Sequence, residues 1–126
     1  MPREVHIRNL SQPGGPALRA RFCSTFLCRL RGLTFQRSLP EGEGLLLVQA
    51  KDSVIDSSIH MLFMRMDLAV IWISSALRVV DVKHARRWRL VYQSREPARY
   101  VLETTLENLE TFKIGDCCAF DEIFAE

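Results

Sequence analysis

The residues that could do chemistry fall in three places. The first is His60-Met61-Leu62-Phe63-Met64-Arg65-Met66-Asp67, where an imidazole and a carboxylate flank a methionine and phenylalanine patch. A few polar groups among apolar walls are the usual make-up of a small-molecule pocket. His60 could shuttle a proton or ligate a metal near neutral pH. Asp67 could hold a ligand or act as a general base. The second place is Glu103, which ends the apolar run Tyr100-Val101-Leu102. A carboxylate among apolar residues needs a partner or takes up a proton. Arg86 and Arg99 are candidate partners for Glu103. Two carboxylates can share acid–base work, as in glycoside hydrolysis, but nothing in the residue order brings Asp67 and Glu103 together. The third place is the stretch 83–100, which interleaves Arg86, Arg87, Arg89, Arg95 and Arg99 with Trp88, Tyr92 and Tyr100. Cations for phosphates and rings for bases are what single-stranded nucleic acids require.

Each place also has a plainer reading. Asp67 can open a strand and accept backbone N–H groups or an arginine. His60 can be a satisfied polar residue at a rim, and Met61, Phe63, Met64 and Met66 can be core. The rings of 83–100 can pin a loop to the body while the arginines stay solvated. Glu103 can close a strand in a salt bridge or in solvent.

Other chemistry has no signal. His6, His60 and His84 are far apart, and Cys23, Cys28, Cys117 and Cys118 lack paired C-x-x-C knuckles, so neither a metal nor a cofactor is expected. Adjacent cysteines such as Cys117 and Cys118 rarely bridge each other. In a strand they would face opposite sides. All four cysteines read as reduced small hydrophobes. There is no nucleophile elbow, P-loop or dinucleotide fingerprint, and Gly42-Glu43-Gly44 is too short and acidic to cradle a phosphate.

The elements that must position these residues are mostly strands. Val5-His6-Ile7-Arg8 and Leu18-Arg19-Ala20-Arg21-Phe22 alternate around the breaker cluster Ser11–Pro16, which predicts a hairpin with Arg19 and Arg21 in water. Ser24 or Thr25 can cap a short helix carrying Phe26, Leu27 and Leu30, with Gly32 as its stop. Leu45–Val48 reads as a buried strand. Val70–Ile73 and Leu77–Val82 read as a second hairpin across Ser74-Ser75-Ala76. In strand register Asp67, Ala69, Ile71 and Ile73 share one face and Leu68, Val70 and Trp72 the other, so both faces are expected to be buried. A long irregular connection from Lys83 to Pro97 leads to a strand at Arg99–Glu103. Leu106, Leu109 and Phe112 keep helical spacing behind a Thr104 or Thr105 cap. Gly115-Asp116 turns the chain into a last strand, Cys117–Phe120.

Composition bounds the whole. The chain has 126 residues, 48% hydrophobic and 25% charged, which fits one folded domain, 1–126, with its core at about 5–120. That excludes a disordered tail, a collagen-like repeat and a disulfide miniprotein. The run Ala69–Ile73 is far too short to span a membrane as a helix. Met1-Pro2-Arg3-Glu4 is followed by alternation rather than an apolar leader, so a cytoplasmic placement is expected. Net charge is only +2, yet sixteen of the seventeen basic residues and eight of the fifteen acids lie in 1–100. The acidic last quarter can neutralise a basic body, or keep weak anionic partners off an exposed basic face.

The ordered segments resemble the domain of unknown function 192 family, also called uncharacterised ACR. The residues that carry the resemblance begin with Arg31-Gly32-Leu33-Thr34-Phe35, Leu39-Pro40 and Gly44-Leu45-Leu46-Leu47. They continue with Met61, Phe63-Met64, Asp67-Leu68-Ala69-Val70-Ile71-Trp72 and Val79-Val80. They end with Pro97-Ala98-Arg99-Tyr100-Val101-Leu102-Glu103 and Gly115-Asp116. The resemblance spans about Val5 to Phe120. Two positions depart from the family's habit: Thr34 stands where methionine is usual, and Leu45-Leu46-Leu47 where Met-Leu-Phe is usual. Many members carry a leader that this sequence lacks, so their periplasmic placement does not carry over. The resemblance implies a compact, mainly antiparallel β domain with a short helix or two, and no assigned activity.

These readings give one expectation each for fold and function. The fold is mainly β (α+β), a single domain whose antiparallel sheet rolls into a small barrel with one or two short helices. The function is that of a small non-enzymatic binding domain, with a site at one sheet end formed by His60, Phe63, Met64, Asp67 and Glu103. Its partner is a small anionic ligand or a protein. The alternatives are an oligonucleotide-binding barrel using Arg86, Arg87, Trp88, Arg89 and Tyr92, and an enzyme with Asp67 or Glu103 as base.

Overall fold

The protein is seen in a computed structural model that describes residues 3–124, with side chains from 4 to 121. The expected first hairpin forms. Strand β1 (Arg3–Asn9) pairs antiparallel with β2 (Leu18–Cys23) in the register Val5↔Ala20. Val5, Ile7, Leu18 and Ala20 are buried while Arg19 and Arg21 face solvent, as the alternation requires. Helix α1 (Phe26–Arg31) follows. The Thr25 hydroxyl accepts the Cys28 N–H, and Gly32 ends the helix at φ 52°. A residue with a Cβ is disfavoured in that conformation, so glycine suits the stop.

Strand β3 (Glu43–Ser53) then lies parallel to β2, from Arg19↔Glu43 to Cys23↔Leu47. This is a parallel pair in a sheet whose other strand pairings are antiparallel, as expected. A helix between neighbouring strands forms a crossover that brings the chain back in the same direction. Strands β4 (Leu68–Ile73) and β5 (Val79–Ala85) make the second hairpin. Strand β6 (Ala98–Thr104) inserts between β3 and β4. The expected helix after it shrinks to one 3-10 turn, Leu106–Leu109, and β7 (Cys118–Phe124) closes the chain on β1.

The strand order is β5-β4-β6-β3-β2-β1-β7. Strand accounts for 43% of the chain and helix for 8%, so the mainly β expectation holds, as a curled seven-strand half-barrel. The curl brings the two edges together at one end. Val79 donates to the Asp116 carbonyl at 2.9 Å, and Cys118 to the Leu77 carbonyl at 2.8 Å. Arg78 and Cys117 form a bridge between them.

The continuous apolar run of β4 is explained by two cores. All six of its residues are buried. Ala69, Ile71 and Ile73 join a cluster with Val5, Ile7, Leu46 and Leu102 on one face. Leu68, Val70 and Trp72 join Leu45, Leu47, Met61, Met64 and Val101 on the other. Loops 54–66 and 86–97 contribute Ile59, Met61, Met64 and Tyr92 to this second face. Trp72 is wholly buried and its indole N–H donates to the Ser57 carbonyl at 2.8 Å.

Two cysteines correct the sequence reading. Cys23 and Cys28 are joined as a disulfide that ties the end of β2 to α1. Their five-residue separation lets one helical turn bring the thiols together. Cys117 and Cys118 are free, the first half-buried and the second buried, as opposite faces of a strand predict. On helix α1, Phe26, Leu27 and Leu30 are exposed.

Candidate functional site

Glu103 stands in the middle of the sheet. Its neighbours across the strands are Leu45 on β3 and Val70 on β4, both buried. Its side chain therefore rises from an apolar face, and Glu103 is itself only 5% exposed. The arginine expected as its partner is elsewhere. Arg99 donates to the Gln49 carbonyl at 3.0 Å and lies over the Tyr100 ring. The Oε1 atom of Glu103 is buried with no hydrogen-bond partner among the described residues. Burial alone pushes this carboxyl up to about 7, because a charge in such surroundings is poorly solvated.

A cavity of about 410 Å³ opens on this carboxyl. Helix α1 forms one wall through Phe26, Leu30, Arg31 and its terminal Gly32. A Cβ added at Gly32 would sit 3.3 Å from Glu103 Oε1, so the glycine leaves room directly against the carboxyl. Loop 54–66 supplies His60 and Met64. The backbone of this loop is pinned by paired hydrogen bonds between Ile59 and Tyr92 at 3.0 and 2.9 Å. His60 Nε2 lies 3.3 Å from the Leu30 carbonyl. A carbonyl only accepts, so Nε2 carries the proton and the Nδ1 of a neutral ring is an acceptor. That Nδ1 is the second buried atom without a partner among the described residues. The cavity thus presents two unpartnered atoms, one on a carboxyl that titrates near neutrality and one on an imidazole, in a lining that mixes apolar residues with Arg29, Arg31, Gln49, Asp56 and Ser58.

The other expected site residues go elsewhere. Asp67 precedes β4 and does not line this cavity. Its carboxylate accepts the Arg87 backbone N–H at 2.9 Å and meets His84 Nε2 at 3.0 Å. The Arg87 amide and then the His84 ring hold it below the usual carboxylate range. This is the plainer reading of Asp67, and the bonds fix loop 86–89. Phe63 lies outside the cavity as well, with Phe35 and Trp88 at ring distances of 5.4 and 5.2 Å. Tyr92 is buried, its hydroxyl accepts the Arg86 N–H at 2.8 Å, and its ring is covered by Arg89. Arg86, Arg87 and Arg89 are exposed. Among the described residues no three His, Cys, Asp or Glu groups gather as a metal site. No helix among them is long and apolar enough to cross a membrane.

Comparison with known proteins fits this arrangement to a family. The pattern of the family described as Uncharacterized ACR, DUF192, matches residues 9–119. The chain belongs to the DUF192 family. Its relatives include a UPF0127 protein of Thermococcus gammatolerans, 40% identical over 99 residues that are 77% of this chain and 63% of that one. A second, from Thermococcus kodakarensis, is 35% identical over 78% of this chain and 60% of its own. The chain therefore spans about three-fifths of the length of these two relatives. A Pyrococcus furiosus UPF0127 protein is 34% identical and is covered over 84% of its length. Among solved structures, a protein of Sinorhizobium meliloti 1021 superposes with a TM-score of 0.82 at 19% identity, over 95% of this chain and 94% of that one. A protein of unknown function from Novosphingobium aromaticivorans gives 0.79 at 20% identity, over 92% and 83%. These two likenesses to solved structures show the fold alone. The family carries no established activity.

Sequence reasoning missed Gly32, Phe35 and Gln49 at these sites. Gly32 was legible only as a helix stop. Its second role needs the parallel β2–β3 crossover, which sets α1 beside β6. Gln49 is buried beyond Val48 on β3 and lines the cavity. A polar residue continuing the run Leu45–Val48 was the available signal.

Proposed function

We propose that the protein binds a small polar ligand in the α1-walled cavity, with Glu103 as its anchor. The observation that carries this reading is the buried, unpartnered Glu103 Oε1 at a cavity of about 410 Å³. An unsatisfied polar atom in an apolar site costs stability, and a ligand that brings a donor removes that cost. Pockets of this size and lining hold small molecules. His60 Nδ1 calls for a second donor. Exposed Arg31 offers a contact for an anionic group. The ligand class is therefore a small molecule with hydroxyl or amino donors and an anionic end.

The test is a thermal-shift panel of amino sugars, sugar acids and nucleotides at low salt. A ligand at 100 times its Kd stabilises by about 2.7 kcal/mol, which moves the midpoint by several degrees. The shift should vanish in Glu103→Leu, which replaces the carboxyl by an apolar group of similar size. Equal shifts in both proteins, or none in the wild type, overturn the reading.

One observation favours a second reading. A carboxyl held near 7 suits general acid–base catalysis at neutral pH. Under that reading Glu103→Gln still binds ligand but turns none over. No compartment is needed for either reading. Cytoplasmic protein would hold Cys23 and Cys28 against a reducing pool, and a thiol count on protein recovered without reductant decides their state there.

A further inference from the structure

Phe35, Phe63 and Trp88 belong to three separate loops, yet they share two unusual properties. Each has a left-handed backbone, with φ of 68, 61 and 70°. Each ring is exposed, by 63, 48 and 57%. Large aromatic residues are rare in that conformation, and folding alone favours neither it nor the exposure. The loops are bonded so as to hold the rings together. The Phe35 N–H donates to the Phe63 carbonyl at 3.1 Å and the Trp88 N–H to the Met61 carbonyl at 2.7 Å. Asp67 holds the Arg87 amide one residue before Trp88.

The rings border a shallow hollow of about 340 Å³, completed by Met64, Arg65 and Arg87. Among the described residues no acidic side chain lines it. Asp67, before β4, lies 3.8 Å from the Arg87 guanidinium. Both arginines are exposed. Rings and guanidinium groups thus share one open surface, which is separate from the Glu103 cavity except for the shared Met64.

We propose that this surface binds single-stranded nucleic acid, with bases stacked on Phe35, Phe63 and Trp88 and phosphates held by Arg65 and Arg87. Each nucleotide brings one flat ring and one negative charge, the same pairing the surface offers. An acidic peptide would match the arginines and leave the three rings without flat partners. A duplex keeps its bases inside, out of reach of the rings. Tyr92 takes no part, because its ring is buried under Arg89.

The two tryptophans make the test direct. Trp72 is wholly buried and Trp88 is 57% exposed, so quenching by an added strand reports on Trp88. The probe is a ten-residue oligouridylate, titrated at low salt into the wild type, Phe63→Ala and Arg65→Ala. Saturable quenching is expected, with Kd raised on the order of tenfold by Phe63→Ala, the usual weight of one stacked base. Arg65→Ala changes an exposed side chain, so it keeps the fold. It should flatten the slope of log K against log salt by about 0.7, the loss of one phosphate contact. A labelled strand followed by anisotropy with Trp88→Ala gives the same reading without the reporter. The proposal falls if the strand leaves the emission unchanged, if Phe63→Ala binds as tightly as wild type, or if a duplex or a polyglutamate peptide binds equally well.

Discussion

Two carboxylates of this protein sit in opposite electrostatic settings. Glu103 is buried among apolar residues and lifted to about 7, whereas Asp67 is held low by a backbone amide and His84. Their effects on stability therefore run in opposite directions with pH. The folded state keeps the Glu103 proton to higher pH than the unfolded chain does, so stability falls as pH rises from about 4.5 to about 7. Denaturation of Glu103→Gln should show no such slope, and above pH 7 the variant should be more stable than wild type by roughly 3 kcal/mol. Equal slopes in the two proteins would contradict the burial of an unpaired acid. Asp67 contributes stability above its unfolded pKa that is lost as pH falls through its lower folded value. Urea unfolding at pH 7 should show Asp67→Ala weaker by about 1–3 kcal/mol, since it strands the Arg87 amide. That gap should begin to narrow below about pH 4, where the unfolded chain's aspartates take up protons, and go on narrowing as pH falls through the lower folded value of Asp67. A gap that does not narrow in acid would mean that the hydrogen bond to the Arg87 amide, which a protonated carboxyl can still accept, matters more than the charge.

Helix α1 is the least secured element. None of its residues is buried, and Phe26, Leu27 and Leu30 lie open. It is held by its Thr25 cap, by Arg29 donating to the Ser24 and Val48 carbonyls, and by the bond between Cys23 and Cys28. A loop this short gives a disulfide about 2 kcal/mol of stabilising effect. Limited proteolysis should therefore cut Cys28→Ser, or reduced wild type, within residues 24–35 well before the sheet unfolds. Unchanged resistance in that segment would show that side-chain packing holds the helix. The same element marks where sequence reading stops. Its boundaries were legible, because Thr25 and Gly32 are local signals. Its neighbours were not, because the parallel pairing of β2 with β3 joins residues whose own pattern is silent on direction. The strands around Asp67 and Glu103 were legible as short apolar runs rich in β-branched and aromatic residues. The cavity was not, because it needs β6 to insert between β3 and β4, a non-local choice. The aromatic trio was half legible: Trp88 and Phe63 stood out as types, but their meeting with Phe35 depends on three loop conformations.

At the scale of the whole molecule, stability is graded across the sheet. β4 and β6 are flanked by strands on both sides and packed on both faces, while β5 and β7 are the edges. Hydrogen exchange should find the amides of Val70–Ile73 and Val101–Glu103 slowest and those of α1 among the fastest, because opening the centre requires global unfolding. Comparable protection of α1 and β4 would refute this order. The seam between the edges has a further consequence, for synthesis on the ribosome. β1 pairs with β7 from Arg3↔Phe124 to Asn9↔Cys118, and the bridge at Arg78 also waits for Cys117. A nascent chain can build β2, α1 and β3, but it cannot complete the curl while residues 115–124 are still in the exit tunnel. Until they emerge, Val5 and Ile7 lack the strand that covers the first edge. The newborn protein is then an open sheet whose β1 edge away from β2 is unpaired, the form in which chaperones and neighbouring nascent chains meet it.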